Sequence, residues 1–153
     1  MTSSVSETTV EQIQQFVADW YVALDRHVPY AEVVRYLDED GIRFVFPETT
    51  VSTVDGLKQW YDTVTNRFFD EAHRVDRADV RFAGDVTGEA AADVHVVVNW
   101  QTSVWNPPEP RSARLEYESD QSWQVSIGAD GRPRIRSYTV NNLVPQGDTP
   151  ELF

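Results

Sequence analysis

The sequence has no cysteine and only three histidines in 153 residues. The first absence excludes disulfides, thiolate catalysis and cysteine-ligated zinc, and it fits a cytoplasmic protein. The second leaves few side chains able to move protons near neutral pH. Three scattered histidines also argue against a metal site, and nothing points to a cofactor. Cationic residues are scarce: 13 Lys and Arg stand against 25 Asp and Glu, a net charge of −12. Such an acidic surface repels phosphate backbones and anionic headgroups, so neither nucleic acid nor membrane is an expected partner. No apolar run reaches the ~18 residues needed to cross a bilayer. The opening MTSSVSETTVEQ has no basic stretch followed by an apolar one, so no signal peptide is expected. Gly-rich phosphate loops, Gly-x-Ser-x-Gly and His-Glu-x-x-His are all missing.

Apolar side chains are plentiful, at 41 %, with five Trp and six Tyr that must be buried or line a cavity. The length suits one domain, expected over residues 9–143 between polar tails at 1–8 and 144–153. Thr8 and Glu11 form a capping-box pattern. Val10, Ile13, Val17, Trp20 and Leu24 then recur every three or four residues, which predicts a helix over about 9–26. Pro29 suits the start of a short second helix carrying Val33, Val34 and Leu37. A strand over 42–46 stops at Pro47. Ser52 or Thr53 caps a third helix with a stripe of Leu57, Trp60, Tyr61, Val64 and Phe68.

After Glu71 the apolar period changes from 3.6 to 2. His73 and Val75 share one phase, while Ala78, Val80 and Phe82 share the other, so a bulge near Asp76–Arg77 is expected. Gly84 and Gly88 mark a hairpin. Strands follow over 93–104 and about 113–127, broken by the Asn106–Pro110 loop. Ala129-Asp130-Gly131 predicts a bulged turn that pairs Ile135 with Val125 and sets Arg134 and Arg136 beside Ser126 and Gln124. The last strand is expected to end near Leu143. Three helices followed by an antiparallel meander, all helices on one face of a curved sheet, define an α+β domain.

The segments FVADWYVALDRH (16–27), RFVFPE (43–48), VDGLKQWYDTVTNRFFDEAHRV (54–75) and DGRPRIRSY (130–138), in this order, resemble the NTF2-like superfamily and its SnoaL-like, polyketide cyclase-like group. The resemblance implies a cone in which a strongly curved, mainly antiparallel sheet wraps three N-terminal helices around an apolar pocket. It also implies a homodimer through the outer sheet face. Members include dehydratases, isomerases, cyclases and non-catalytic binding or assembly subunits, so the fold alone does not fix the reaction.

In dehydratases of this superfamily an Asp at the end of the first helix and a His opening the second strand share the pocket. Their counterparts by position are Asp25 and His73. A carboxylate fixes the imidazole tautomer and suits His73 to act as a general base on a hydrophobic, oxygenated small molecule. The bland alternative leaves Asp25 in the last helical turn and His73 at the end of the third helix. Tyr21, one turn before Asp25, is the candidate donor to a developing oxyanion. Trp20, Phe46, Trp60, Tyr61 and Tyr138 are candidate pocket walls. Phe46 occupies the place of the steroid isomerase base, and Glu48 replaces it only if its loop turns inward. Asp93, His95, Asn99 and Gln101 lie opposite the Val-rich face of their strand, so they are expected on the outer surface or at a dimer interface. Arg114, Arg132, Arg134 and Arg136 share a face with Glu116 and Glu118, which predicts cross-strand charge pairs. A non-catalytic subunit would have its pocket filled by side chains such as Trp20, Trp60 and Trp123.

Overall fold

The computed structural model describes residues 9–38, 40–83, 90–128 and 130–149. Helix α1 spans Val10–Asp25 and buries Ile13, Val17, Trp20, Tyr21 and Leu24. Its capping box lies one residue later than the sequence suggests. Thr9 accepts from the Gln12 amide, and the Gln12 side chain accepts from the Thr9 amide at 2.8 Å. Two adjacent threonines followed by Glu11-Gln12 permit either register, and Thr8 lies outside the described residues. The helix ends in a Schellman turn: His27 N–H donates to Leu24 O, Val28 N–H donates to Ala23 O, and His27 takes the left-handed position with φ 50°.

A short helix α2 (Tyr30–Val33) runs into a 3₁₀ turn over Val34–Tyr36. Strand β1 (Arg43–Val45) and the two-residue strand β2 (Thr50–Val51), which the sequence pattern does not reveal, flank the Pro47 turn. Thr53, rather than Ser52, caps α3 (Val54–Arg67) by accepting from Gly56 N–H at 2.9 Å. The chain then enters β3 (Phe68–Ala83) without a loop, four residues earlier than the change of period suggests. Phe68 sits at helical spacing from Val64, yet it is already extended and packs against Val104, Leu115 and Tyr117.

Strands β3, β4 (Ala90–Val104), β5 (Ala113–Ile127) and β6 (Pro133–Pro145) form the antiparallel meander. Among the described residues, six strands lie in the order β2-β1-β6-β5-β4-β3, an open sheet in which β1 and β6 run parallel and the other neighbouring strands antiparallel. Strand β3 slips register twice against β4, between Phe69 and Ala72 and between Val75 and Arg77. The second slip is the expected bulge. The first is not foreshadowed by the apolar period, and it turns on Asp70, which is left-handed with φ 53°. Asp and His tolerate this conformation better than most residues. Each slip makes the spacing three instead of two, so the better-buried positions run Phe68, Glu71, His73, Val75, Ala78 and Val80.

Gly131 is left-handed (φ 78°) in the β5–β6 turn, and Val125 pairs with Ile135 as expected. Ser126 pairs with Arg134, but a slip between Gln124 and Val125 sets Gln124 against Ser137, not Arg136. The last strand continues two residues past Leu143. The expected hairpin at Gly84 and Gly88, the Ala129 position and the 1–8 tail lie outside the described residues. Helices and sheet together enclose one main aromatic-aliphatic core centred on Trp20, Phe44, Trp123 and Ile135. Among the described residues, no helix is long and apolar enough to cross a membrane.

Candidate active site

Asp25 closes α1, and its carboxylate points across to β3. One oxygen accepts from the backbone N–H of His73 at 3.0 Å. The other lies 2.5 Å from His73 Nδ1. Both oxygens are thus committed to one residue, which leaves Nε2 as the ring nitrogen free for a ligand. The His73 side chain is 9 % exposed and lines a cavity, while Asp25 stands behind it. Because α3 ends at Arg67, His73 lies well inside a strand. Its position therefore owes nothing to a helix terminus.

The ring of Tyr21 stacks on His73, with centroids 4.7 Å apart. Its hydroxyl donates to Gln121 Oε1 at 2.6 Å and lies 3.4 Å from the hydroxyl of Tyr138. Gln121 Oε1 also accepts from Trp123 Nε1 at 2.9 Å, and its amide donates to Ser119 Oγ. Burial pushes the Tyr21 phenol well above its ordinary range, with Tyr138 adding to the effect. Burial also raises the Tyr138 phenol. Both therefore remain hydroxyls through any physiological range.

The cavity measures about 590 Å³, within the range of small-molecule sites. Phe46, Trp60, Tyr61 and Tyr138 all line it, and Phe46 and Trp60 stack at 4.3 Å. Trp20 does not: it is 0 % exposed and wedged among Tyr36, Phe44, Trp123 and Tyr138 beneath the floor. Tyr21 is likewise behind the lining, with its hydroxyl spent on Gln121. Helical spacing shows that such residues are buried, but not on which side of a cavity wall. The Tyr61 hydroxyl donates to Val28 O. Its phenol is pushed up to about 12, chiefly by burial and next by Glu71.

Lining residues that the sequence pattern did not assign to the pocket include Glu71, Trp100, Ser119 and Gln121. Glu71 is inward only because of the slip at Asp70, a phase change visible in hindsight as Phe68-x-x-Glu71. Glu48 also reaches the lining, at the exposed rim, so its loop does turn towards the cavity. Desolvation raises its carboxyl, while Arg67 pulls the other way.

On the opposite sheet face, His95 Nε2 lies 3.0 Å from Asp120, Asn99 donates to Glu116, and Gln101 donates to Asn99. None of Asp93, His95, Asn99 or Gln101 lines the cavity. The expected arginine–glutamate ladder takes another form. Arg134 reaches Asp130, Arg136 reaches Asp38 and Arg114 donates to Asp70 O. The slip at Gln124 displaces Arg136 from its anticipated neighbour. Among the described residues, no three His, Asp or Glu side chains converge as a metal-binding group.

Solved structures with the same fold include a candidate scytalone dehydratase from Novosphingobium aromaticivorans, 16 % identical with a TM-score of 0.64, the match covering 92 % of this chain and 87 % of that one. A candidate dehydratase of the NTF2-like family from Streptomyces avermitilis is 15 % identical with a TM-score of 0.67, covering 87 % and 95 %. The CaMKII hub of S. rosetta is 10 % identical with a TM-score of 0.62, covering 95 % and 99 %. At such identities the likeness is one of fold, shared by dehydratase-like proteins and an assembly hub. No curated protein sequence matches the chain. Residues 7–139, however, match the SnoaL-like domain family over most of the chain, and the protein belongs to that family, with an NTF2-like fold.

Proposed function

We propose that the protein is a small-molecule enzyme that performs cofactor-free acid–base chemistry, a dehydration, isomerisation or cyclisation, on a hydrophobic oxygenated substrate. The observation that carries this reading is the Asp25–His73 pair at 2.5 Å on the wall of an open, aromatic-lined cavity. With Nδ1–H held by Asp25, His73 Nε2 removes a proton from carbon next to a carbonyl. Asp25 then carries the countercharge of the imidazolium that forms. Tyr21 is the stacking and positioning residue behind the base. Tyr138, which lines the cavity and contacts the Tyr21 hydroxyl, would supply the donor to a developing oxyanion from a hydroxyl that burial keeps protonated. Phe46, Trp60 and Tyr61 supply the apolar wall. The protein would act in the cytoplasm as a homodimer through its outer sheet face, which light scattering on the purified protein can check.

The rival reading is a non-catalytic binding or assembly subunit. It calls for a pocket plugged by tryptophans, whereas Trp20 and Trp123 lie in the core and Trp60 on the wall of an open space. The test is a screen of cyclic and aromatic β-hydroxyketones, followed by ultraviolet absorbance of the enone product. Turnover by the wild type that disappears in His73→Ala supports the proposal. Turnover unchanged in His73→Ala overturns the assignment of His73 as the base, and ligand binding without turnover of any compound supports the subunit reading.

A further inference from the structure

The catalytic pair accounts for Asp25 and His73, but each has a neighbour two residues away that faces the same region. Asp25-Arg26-His27 and Glu71-Ala72-His73 meet crosswise: His27 Nε2 lies 2.6 Å from Glu71 Oε1. The second Glu71 oxygen accepts from Trp100 Nε1 at 2.9 Å. An indole N–H can only donate, so this oxygen is an acceptor. Glu71 is only 9 % exposed, and the space it borders is the cavity that His73 also lines.

Two uncommon backbone features create this arrangement. His27 takes the left-handed position of a helix end where glycine is the usual residue. Asp70, also left-handed, drives the register slip that turns Glu71 inward. A carboxylate presents about four lone-pair sites, and the protein occupies two. Donors on both oxygens hold the group in place without using up its capacity to accept. A buried acceptor with spare capacity on a mostly aromatic wall is the polar element that orients a ligand in such a pocket.

We propose that Glu71 is a specificity-determining residue that accepts a hydrogen bond from a neutral hydroxyl of the ligand and so sets the ligand's orientation relative to His73. A hydroxyl suits it better than an ammonium group. His27 already faces the carboxylate from the protein side, and Arg67 adds positive charge to the lining. The inference rests on the cavity being the ligand site, as proposed above, but not on any turnover there.

The matched series 2-indanol, indane and 2-aminoindane tests it by calorimetry at neutral pH. The wild type should prefer 2-indanol over indane by about tenfold, the scale of one hydrogen bond to a charged group. In Glu71→Gln, checked for native circular dichroism, that preference should fall to within about threefold while binding persists. If Glu71→Gln does not fold, Glu71→Asp, which keeps the charge but shortens the reach, should show the same loss. Equal or absent binding of 2-indanol and indane by the wild type overturns the proposal. So does a preference that survives in the folded Glu71 variant, or 2-aminoindane outranking 2-indanol. The preference is read from binding alone, with no turnover required. Failure of the catalytic reading therefore leaves this inference standing, and failure of this inference leaves the catalytic reading standing.

Discussion

An aspartate and a histidine pair on each face of the sheet, the inner aspartate reaching it from the end of α1. Inside, Asp25 and His73 meet at 2.5 Å with 22 % and 9 % of their side chains exposed. Outside, Asp120 and His95 meet at 3.0 Å with 43 % and 42 % exposed. What differs is the surroundings. The inner imidazole is fixed by a carboxylate that also grips its own backbone amide, is stacked on Tyr21 and opens onto a cavity. The outer pair stands largely in water, where solvent screens the attraction and offers both groups other partners. Residue identity is therefore a poor guide to chemistry on this chain. Confinement and a defined free nitrogen separate a base from a surface ion pair.

The largest expected effect comes from disabling the inner pair and leaving the outer one alone. Asp25→Asn keeps the size of the side chain but lets either amide atom face Nδ1, so the tautomer is no longer dictated. Turnover of a substrate found in the screen should fall by about 10²–10⁴-fold, the usual worth of a positioned general base. His95→Ala should leave kcat and KM unchanged. Equal losses in the two variants would mean that the inner site has no special role.

The comparison can also be broken from behind. The inner pair rests, through Tyr21, on a packed aromatic layer that the outer pair lacks. Trp20 is fully buried at the centre of that layer and contacts four other rings. Trp20→Ala should cost about 3–5 kcal/mol in urea unfolding, through lost burial and the cavity left behind. Tyr21→Phe is milder, because it keeps the stack on His73 and removes only the hydroxyl's contacts with Gln121 and Tyr138. About 1 kcal/mol is expected, with a further signature at high pH. The folded phenol titrates above its unfolded value of about 10. Its contribution is thus fully present below pH 10 and is lost as pH rises towards the higher folded value. The stability gap between wild type and Tyr21→Phe should narrow there, as read from unfolding midpoints across the alkaline range.

These contrasts also show where the sequence is and is not legible. Helix α1, the meander and the bulge after Val75 follow from apolar periods alone, because one buried face per element is enough to set them. Asp25 and His73 needed the family resemblance, since nothing local joins residues 48 positions apart. Glu71 escaped because its inward turn depends on Asp70 adopting a conformation that the sequence permits but does not announce. Trp20 and Tyr21 were recognisably buried, yet core and cavity wall are indistinguishable along a helical stripe. Arg134 sits beside Ser126 as expected, but Arg136 was misaligned by a one-residue slip at Gln124, and period-2 reasoning cannot survive such a slip.

The smallest expected effect belongs to the outer pair itself, and it sharpens the contrast by its sign as well as its size. Hydrogen bonding from His95 holds the Asp120 carboxyl below its ordinary value, with Asn141 contributing after a small opposing effect of desolvation. A folded carboxyl held low stabilises the protein above the unfolded value of about 3.9. That contribution disappears as pH falls through the lower folded value. At such exposure it amounts to well under 1 kcal/mol. His95→Ala should move the Asp120 titration upward by NMR and leave the unfolding midpoint at pH 7 nearly unchanged. It should do so less visibly still in high salt, because the Debye length shrinks to about 3 Å at 1 M. A midpoint shift as large as that of Trp20→Ala would mean that the outer pair is shielded from water, as it would be if a second copy of the chain covered this face.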